Sequence, residues 1–206
     1  MQQKRGKFIV LEGIDGCGKS SQISFLITFL LKASKYNHVL VTREPYKKRE
    51  IREILRKDDD AYSQAENLAK LFIEDRKEHI SEIIEPSLIK GIHVISDRYK
   101  YSTITYQSAQ GIPPKELIKM HQGFLIPDVV FIIDVPVDVA KKRIAKDDER
   151  AEQKFEADKD FLEKVRQNYL EMPRLLPQEN IVIVDGTKSI KEVSEDIKKE
   201  LKNIFS

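Results

Sequence analysis

The sequence predicts an α/β protein built on an all-parallel sheet of five strands, and three observations carry that prediction. Five short, mostly β-branched apolar runs occupy residues 7–11, 39–42, 93–96, 129–134 and 181–184. Continuous apolar runs of this length suit strands covered on both faces, as the strands of a parallel sheet are. Long segments of helical periodicity separate them, which is the alternation of βαβ units. The third observation is bulk composition. With 206 residues, 40% hydrophobic and 34% charged, the chain suits one domain with a sizeable core and a well-solvated surface.

The helical segments fall at 19–33, 61–90, 102–110, 115–123, 137–146, 159–175 and 190–204. In the second, Leu68, Leu71, Phe72, Ile80, Ile83 and Ile84 recur near helical spacing, and Pro86 is expected to kink or split it. In the last, Val193, Ile197, Leu201 and Ile204 line one face. No repeat, low-complexity stretch or linker divides the chain, so 1–206 reads as one domain. Residues 146–159 stand apart: nearly all are charged, and only Ala151, Phe155 and Ala157 are apolar. Composition reads this stretch as a solvated segment. Its place after the fourth strand and its helix makes 146–157 a candidate lid.

A net charge of +2 predicts neither nucleic-acid nor membrane binding. Cys17 is the single cysteine, so no intramolecular disulfide can form, which fits a reducing compartment. The apolar run at 8–11 is too short for a signal peptide or a membrane span, and a cytoplasmic location is expected.

Gly13-Ile14-Asp15-Gly16-Cys17-Gly18-Lys19-Ser20 matches G-x-x-x-x-G-K-[ST] between a predicted strand and a predicted helix. Glycines let such a loop turn its backbone N–H groups inward, and the helix N-terminus adds partial positive charge. Lys19 is placed to reach β- and γ-phosphates, and the hydroxyl of Ser20 to ligate Mg²⁺. The loop thus predicts binding of a nucleotide's triphosphate, with Ser21 following it. Cys17 reads either as a thiol activated by the helix end or as a small loop residue without chemistry. There is no Asn-Lys-x-Asp segment of the kind that reads guanine, which argues against a GTPase.

Further landmarks follow in order: Leu11-Glu12 before the loop and Ser21-Gln22 after it, Thr42-Arg43-Glu44-Pro45, Leu71 to His79, Asp97-Arg98-Tyr99 with Ser102 and Tyr106-Gln107, and Pro127-Asp128. As an ordered set they resemble the thymidylate kinase family from Phe8 to near the C-terminus. The resemblance implies a strand order 2-3-1-4-5 with flanking helices and a lid, a homodimer, and transfer of a phosphoryl group from ATP to dTMP with Mg²⁺.

The resemblance also implies roles. Arg98, at the end of the third strand, presents a planar fork to the acceptor phosphate. Asp97 beside it assists Mg²⁺ through water, unless the pair is a strand-end salt bridge. Asp15 faces the acceptor's 3′-hydroxyl and organises Arg98. Phe72 and Arg76, four apart on one helix, suit a pyrimidine by stacking and by hydrogen bonds to its edge; read alone, they equally suit core packing and a surface ion pair. Asp75 braces a neighbouring arginine. Ser102 or Thr103 lies near the base edge, Tyr106 near the sugar or in plain packing, and Gln107 near the base. Glu44 and Pro45 lie close to the acceptor, but Tyr46-Lys47-Lys48 depart from the family's common Gly-Gly-Thr. Arg143, Asp185 and Gly186 belong to the ATP side, the last two alternatively to a simple turn capped by Thr187 or Ser189. Since Ile14, Asp15, Gly16 and Cys17 are not basic, the charge that offsets phosphoryl transfer falls to the lid, at Arg150 or Lys154. Two rivals share parts of this pattern: a deoxynucleoside kinase or other nucleoside-monophosphate kinase, and a non-catalytic nucleotide-binding regulator.

Overall fold

The computed structural model describes residues 4–57, 64–146 and 158–205. Its sheet is β1 (Phe8–Glu12), β2 (Val39–Arg43), β3 (His93–Asp97), β4 (Val129–Asp134) and β5 (Ile181–Asp185). All pairs are parallel, in the order β2-β3-β1-β4-β5. The expected order is therefore observed. Every residue of the central strand β1 is buried, including Glu12, which is the burial that a strand flanked on both edges and both faces must accept.

The described helices are α1 (Lys19–Ala33), α2 (Arg49–Lys57), α3 (Ala65–His79), α4 (Glu85–Ile89), α5 (Lys100–Ala109), α6 (Pro114–Met120), α7 (Val137–Ile144), α8 (Lys159–Leu175) and α9 (Ile190–Phe205). The short helix α2 is an addition to the sequence reading. Its apolar residues Ile51, Ile54 and Leu55 do sit at helical spacing, and they pack on Leu68, Leu71 and Phe72 of α3. Six charged residues in nine mask that pattern. The single helix expected at 61–90 is instead α3, a π-helical turn at Ile80–Ile84, and α4; residues 61–63 lie outside the described residues. Proline lacks an N–H and its ring crowds the carbonyl four residues back. The turn before Pro86 absorbs this by widening, with the N–H of Glu85 reaching the carbonyl of Ile80.

The C-terminal residues of the strands are Glu12, Arg43, Asp97, Asp134 and Asp185. Each strand is apolar in its body and charged at its exit, so the charged groups collect at one edge of the sheet. That edge is where open α/β sheets bind ligands. No described helix is long and apolar enough to cross a membrane.

At the opposite edge Asp128 ties the sheet together. It accepts the N–H of Phe8 at 2.8 Å, the ammonium of Lys7 at 3.1 Å and the guanidinium of Arg5 at 3.1 Å. Burial raises its pKa, but these donors outweigh it and hold the carboxyl below its ordinary value. Such a depressed group stabilises the fold above its unfolded pKa, and the contribution disappears as pH falls through the folded value. Asp128→Ala should therefore cost about 1–3 kcal/mol at pH 7 in urea denaturation, and the difference from the parent should shrink towards pH 2.

Candidate active site

The loop between β1 and α1 has positive φ at Gly13, Gly16 and Gly18. Gly16 is also confined, since a Cβ there would lie 2.5 Å from the carbonyl oxygen of Ala140. A residue other than glycine would have to push α7 away from the loop. The ammonium of Lys19 is buried within the loop and donates to the carbonyls of Gly13 at 3.0 Å and Ile14 at 3.2 Å. It also pairs with Asp15 at 3.6 Å. The side chains of Ser20 and Ser21 are exposed at the start of α1. Cys17 is buried, and that burial pushes its thiol pKa up. The inert reading of Cys17 is the one the geometry supports.

Arg143 of α7 joins the loop to the β5–α9 turn. It donates to the carbonyl of Cys17 at 3.3 Å and to that of Gly186 at 2.9 Å. Asp185 spends a carboxylate oxygen on the N–H and hydroxyl of Thr187. Ser189 and Glu192 cap α9 reciprocally, Ser189 taking the N–H of Glu192 at 3.3 Å and giving its own at 3.0 Å. The segment is thus a capped turn, and Arg143 sets it beside the phosphate loop.

Arg98 occupies the left-handed region, with φ 72°. For a residue with a Cβ this costs of order 1–3 kcal/mol, so the neighbourhood must enforce it. The N–H of Arg98 is held by the carbonyl of Leu11 at 2.9 Å, and its own carbonyl accepts the Ser96 hydroxyl at 2.7 Å. The side chain then donates to Asp15 at 2.8 Å, Ser102 at 2.9 Å and Tyr169 at 3.2 Å. Its guanidinium lies 5.3 Å from the centre of the Tyr106 ring. Burial opposes ionisation of Asp15, but Arg98 and then Lys19 outweigh it and hold the carboxyl far below its usual range. Burial likewise disfavours the charge on Arg98, but Asp15, with Tyr106, Tyr169 and Glu12, outweighs it and raises the pKa.

Behind Arg98 lies Glu12, fully buried. It accepts from the N–H of Tyr99 at 2.7 Å, the hydroxyl of Ser102 at 2.6 Å and the hydroxyl of Tyr169 at 2.9 Å. Burial raises its pKa, opposed first by Arg98 and then by these donors. Neither Glu12 nor Tyr169 was assigned a role from sequence. Glu12 carried one usable signal, a carboxylate inside an apolar strand just before the phosphate loop. Tyr169 carried none, because only the fold brings it across from α8. The hydroxyl of Ser102 belongs to this buttress, not to the wall that holds Arg76.

Arg76 is among the largest fully buried side chains of the described residues. Its Nε donates to Glu44 at 2.8 Å, Nη1 to His121 at 2.7 Å and Nη2 to Thr103 at 3.0 Å as well as to Glu44. The second oxygen of Glu44 meets His79 at 3.2 Å, and His79 meets the Thr42 hydroxyl at 2.7 Å. Glu44 therefore acts through Arg76 and His79. Pro45 follows it through a cis peptide. Phe72 is half-buried against Ile51, Leu68 and Leu71. Gln107 is buried, donates to Gln110 at 3.0 Å, and its Oε1 has no partner among the described residues. Among the described residues Asp75 braces no arginine: it accepts the backbone N–H groups of Tyr46, Lys47 at 2.9 Å and Lys48 at 2.8 Å. The Tyr46 ring then stacks on His79, centres 4.7 Å apart.

Among the described residues no cluster of three His, Cys, Asp or Glu side chains could cage a metal. Asp97 instead offers a buried Oδ1 without a partner, its Oδ2 meeting Arg43 at 3.4 Å. A lone carboxylate oxygen at the exit of β3 and an exposed hydroxyl, Ser20, at the start of α1 are the donor types that suit a hard ion keeping most of its ligands as water and phosphate. Arg150 and Lys154 lie outside the described residues.

A phosphate loop on a 2-3-1-4-5 parallel sheet, with Arg98 of the β3 exit ion-paired to that loop, defines a P-loop nucleotide phosphotransferase. Known proteins narrow this. The family model of thymidylate kinase matches residues 11–197. A probable thymidylate kinase of Thermococcus gammatolerans is 36% identical over 201 residues, covering 93% of this chain and 94% of that protein. The thymidylate kinases of Nitrosomonas eutropha and Cupriavidus necator are 38% and 36% identical, covering 92% and 97% of this chain and 89% and 100% of theirs. The chain belongs to the thymidylate kinase family.

The Asp75 contacts give a local test. Asp75→Ala should speed amide hydrogen exchange at Tyr46, Lys47 and Lys48 by about tenfold or more, read by mass spectrometry, while exchange in β1 stays at the parent rate.

Proposed function

We propose that this protein phosphorylates dTMP to dTDP with ATP, working as a single kinase domain in the cytoplasm and as a homodimer. The observation that carries the reading is Arg98, which is held by Asp15 of the phosphate loop on one side and by its buttress, Ser102 and Tyr169, on the other.

In this reading Gly13 to Ser21 and Lys19 hold the triphosphate, with Arg143, Asp185 and Gly186 on the nucleoside side. Mg²⁺ would be held by Ser20 and, through water, by Asp97; bound there it offsets negative charge on the phosphates. Arg98 holds the dTMP phosphate in line with the transferred group. An oxygen of that phosphate bonds to the γ-phosphorus as the bond to the bridging oxygen of ATP breaks, and ADP leaves. Positioning and charge offset dominate such a transfer, so no strong general base is required. The remaining charge is assigned to Arg150 or Lys154 on sequence grounds.

Base selection follows from what the buried groups have left to offer. Of the five N–H bonds of Arg76, four are engaged among the described residues, leaving one on Nη1. The enclosed Oε1 of Gln107 has no partner among the described residues, and a side-chain shift would bring this acceptor to the base. One donor and one acceptor complement the O4 and N3–H of thymine, whereas cytosine presents the opposite pair. Thr103 stands beside Arg76, Phe72 supplies a flat apolar surface, and Tyr106 lies by Arg98 where the sugar follows the phosphate. Glu44 and Pro45 act by fixing Arg76.

A coupled ADP-release assay across nucleoside monophosphates should give the highest kcat/KM with dTMP; a ribonucleotide or dCMP as best substrate would overturn the reading. Arg98→Ala should lower kcat/KM for dTMP by about two orders of magnitude or more, with ATP binding within a fewfold of the parent. Arg150→Ala or Lys154→Ala should lower kcat with little change in either KM, and two silent variants would remove the charge assignment.

A further inference from the structure

We infer that His121 is a positioning residue for Arg76, setting which N–H of the guanidinium is left for the base. The inference rests on the reading of Arg76 as the group that meets the pyrimidine edge.

His121 closes α6 and is buried. Its ring is fixed at both nitrogens. Nδ1 lies 2.6 Å from the carbonyl of Leu117, an acceptor only, so Nδ1 carries the proton. Nε2 lies 2.7 Å from Nη1 of Arg76, a donor only, so Nε2 is a bare lone pair. These partners admit one protonation state, the neutral Nδ1–H tautomer. Burial, reinforced by the Arg76 charge, pushes the imidazole pKa down to about 3 and keeps it in that state. The Phe124 ring packs against the imidazole in a T-shaped arrangement, centroids 5.5 Å apart.

The consequence lies in the geometry of the fork. Glu44 and Thr103 account for Nε and both protons of Nη2. Nη1 has two protons, and His121 takes one. The plane of the guanidinium and the direction of its last N–H are therefore set from both ends. Without an acceptor at His121, a charged buried fork has two unpaired protons on Nη1 and no restraint at that end. Glu44 alone would then define its tilt. The expected loss falls on binding of the monophosphate, since the base lies away from the phosphorus that reacts.

Two polar replacements separate this role from a merely structural one. In His121→Gln the side-chain oxygen reaches the place of Nε2 and keeps the acceptor for Arg76 while giving up Leu117. In His121→Asn the short amide keeps the donor to Leu117 and gives up Arg76. A positioning role predicts that His121→Asn raises KM for dTMP by about tenfold or more, with kcat and KM for ATP within about threefold of the parent. It also predicts that His121→Gln restores KM to within about threefold. Equal effects of the two variants, or a reversed order, would overturn the inference, as would losses in kcat and ATP KM that parallel a drop in melting temperature. Arg76→Lys is the control on the underlying reading. If it leaves KM for dTMP unchanged, the base contact itself is wrong. If it raises KM while His121→Asn behaves as the parent, the role of His121 alone falls.

Discussion

The ion pair between Asp15 and Arg98, 2.8 Å apart, is the contact on which the two halves of the site depend. Asp15 belongs to the phosphate loop, where its other neighbour is Lys19. Arg98 belongs to the exit of β3, where its backbone is held in a conformation that only a dense set of neighbours can sustain. Arg98 is the more enclosed of the two, its side chain 16% exposed against 37% for Asp15, so its charge leans on the carboxylate. On the proposed function, the two residues set the distance between the triphosphate held by the loop and the acceptor phosphate held by Arg98. In-line transfer is largely a matter of such distances.

Two buried carboxylates extend this logic outward. Glu12 stands behind Arg98 and collects Ser102, Tyr99 and Tyr169, so that helices α5 and α8 are referenced to the central strand. Glu44 does the same for Arg76, with His79 and Thr42 behind it. Each arginine is thus backed by one carboxylate and flanked by hydroxyls from α5: Ser102 for Arg98 and Thr103 for Arg76. Adjacent residues on one helix serve different arginines because their side chains diverge by about 100° around the helix axis. A buried charge left without its partner is severely destabilising, so each such cluster resists piecemeal change.

Much of this was legible in the sequence, and the boundary is physical. The five strands were visible as short apolar runs, although only β1, β3 and β4 are largely buried and the edge strands β2 and β5 are partly exposed. The phosphate loop was visible because its geometry demands glycine at fixed positions. Arg98 was legible as a charged residue at a strand exit, where ligands meet such sheets. What was hidden depends on contacts distant in the chain. Tyr169 reaches Glu12 across 157 residues, and His121 reaches Arg76 across 45. Asp75 looked like an arginine's partner, yet it caps three backbone N–H groups of the segment that departs from the family's common pattern. The resemblance left Ser102 and Thr103 as alternatives near the base edge, and the three-dimensional arrangement gives the Ser102 hydroxyl to Arg98 and that of Thr103 to Arg76. The helix α2 was hidden by its own charge density.

The coupling between Asp15 and Arg98 is the central claim, and a double-mutant cycle measures it directly. Values of kcat/KM for dTMP would be taken for the parent, Asp15→Asn, Arg98→Met and the double variant. A shared role predicts strong non-additivity, with the double variant little worse than the poorer single one and a coupling of about 1–3 kcal/mol. Additive losses would mean that the two residues act independently, and would contradict the account of a loop and an acceptor wall locked together by one ion pair.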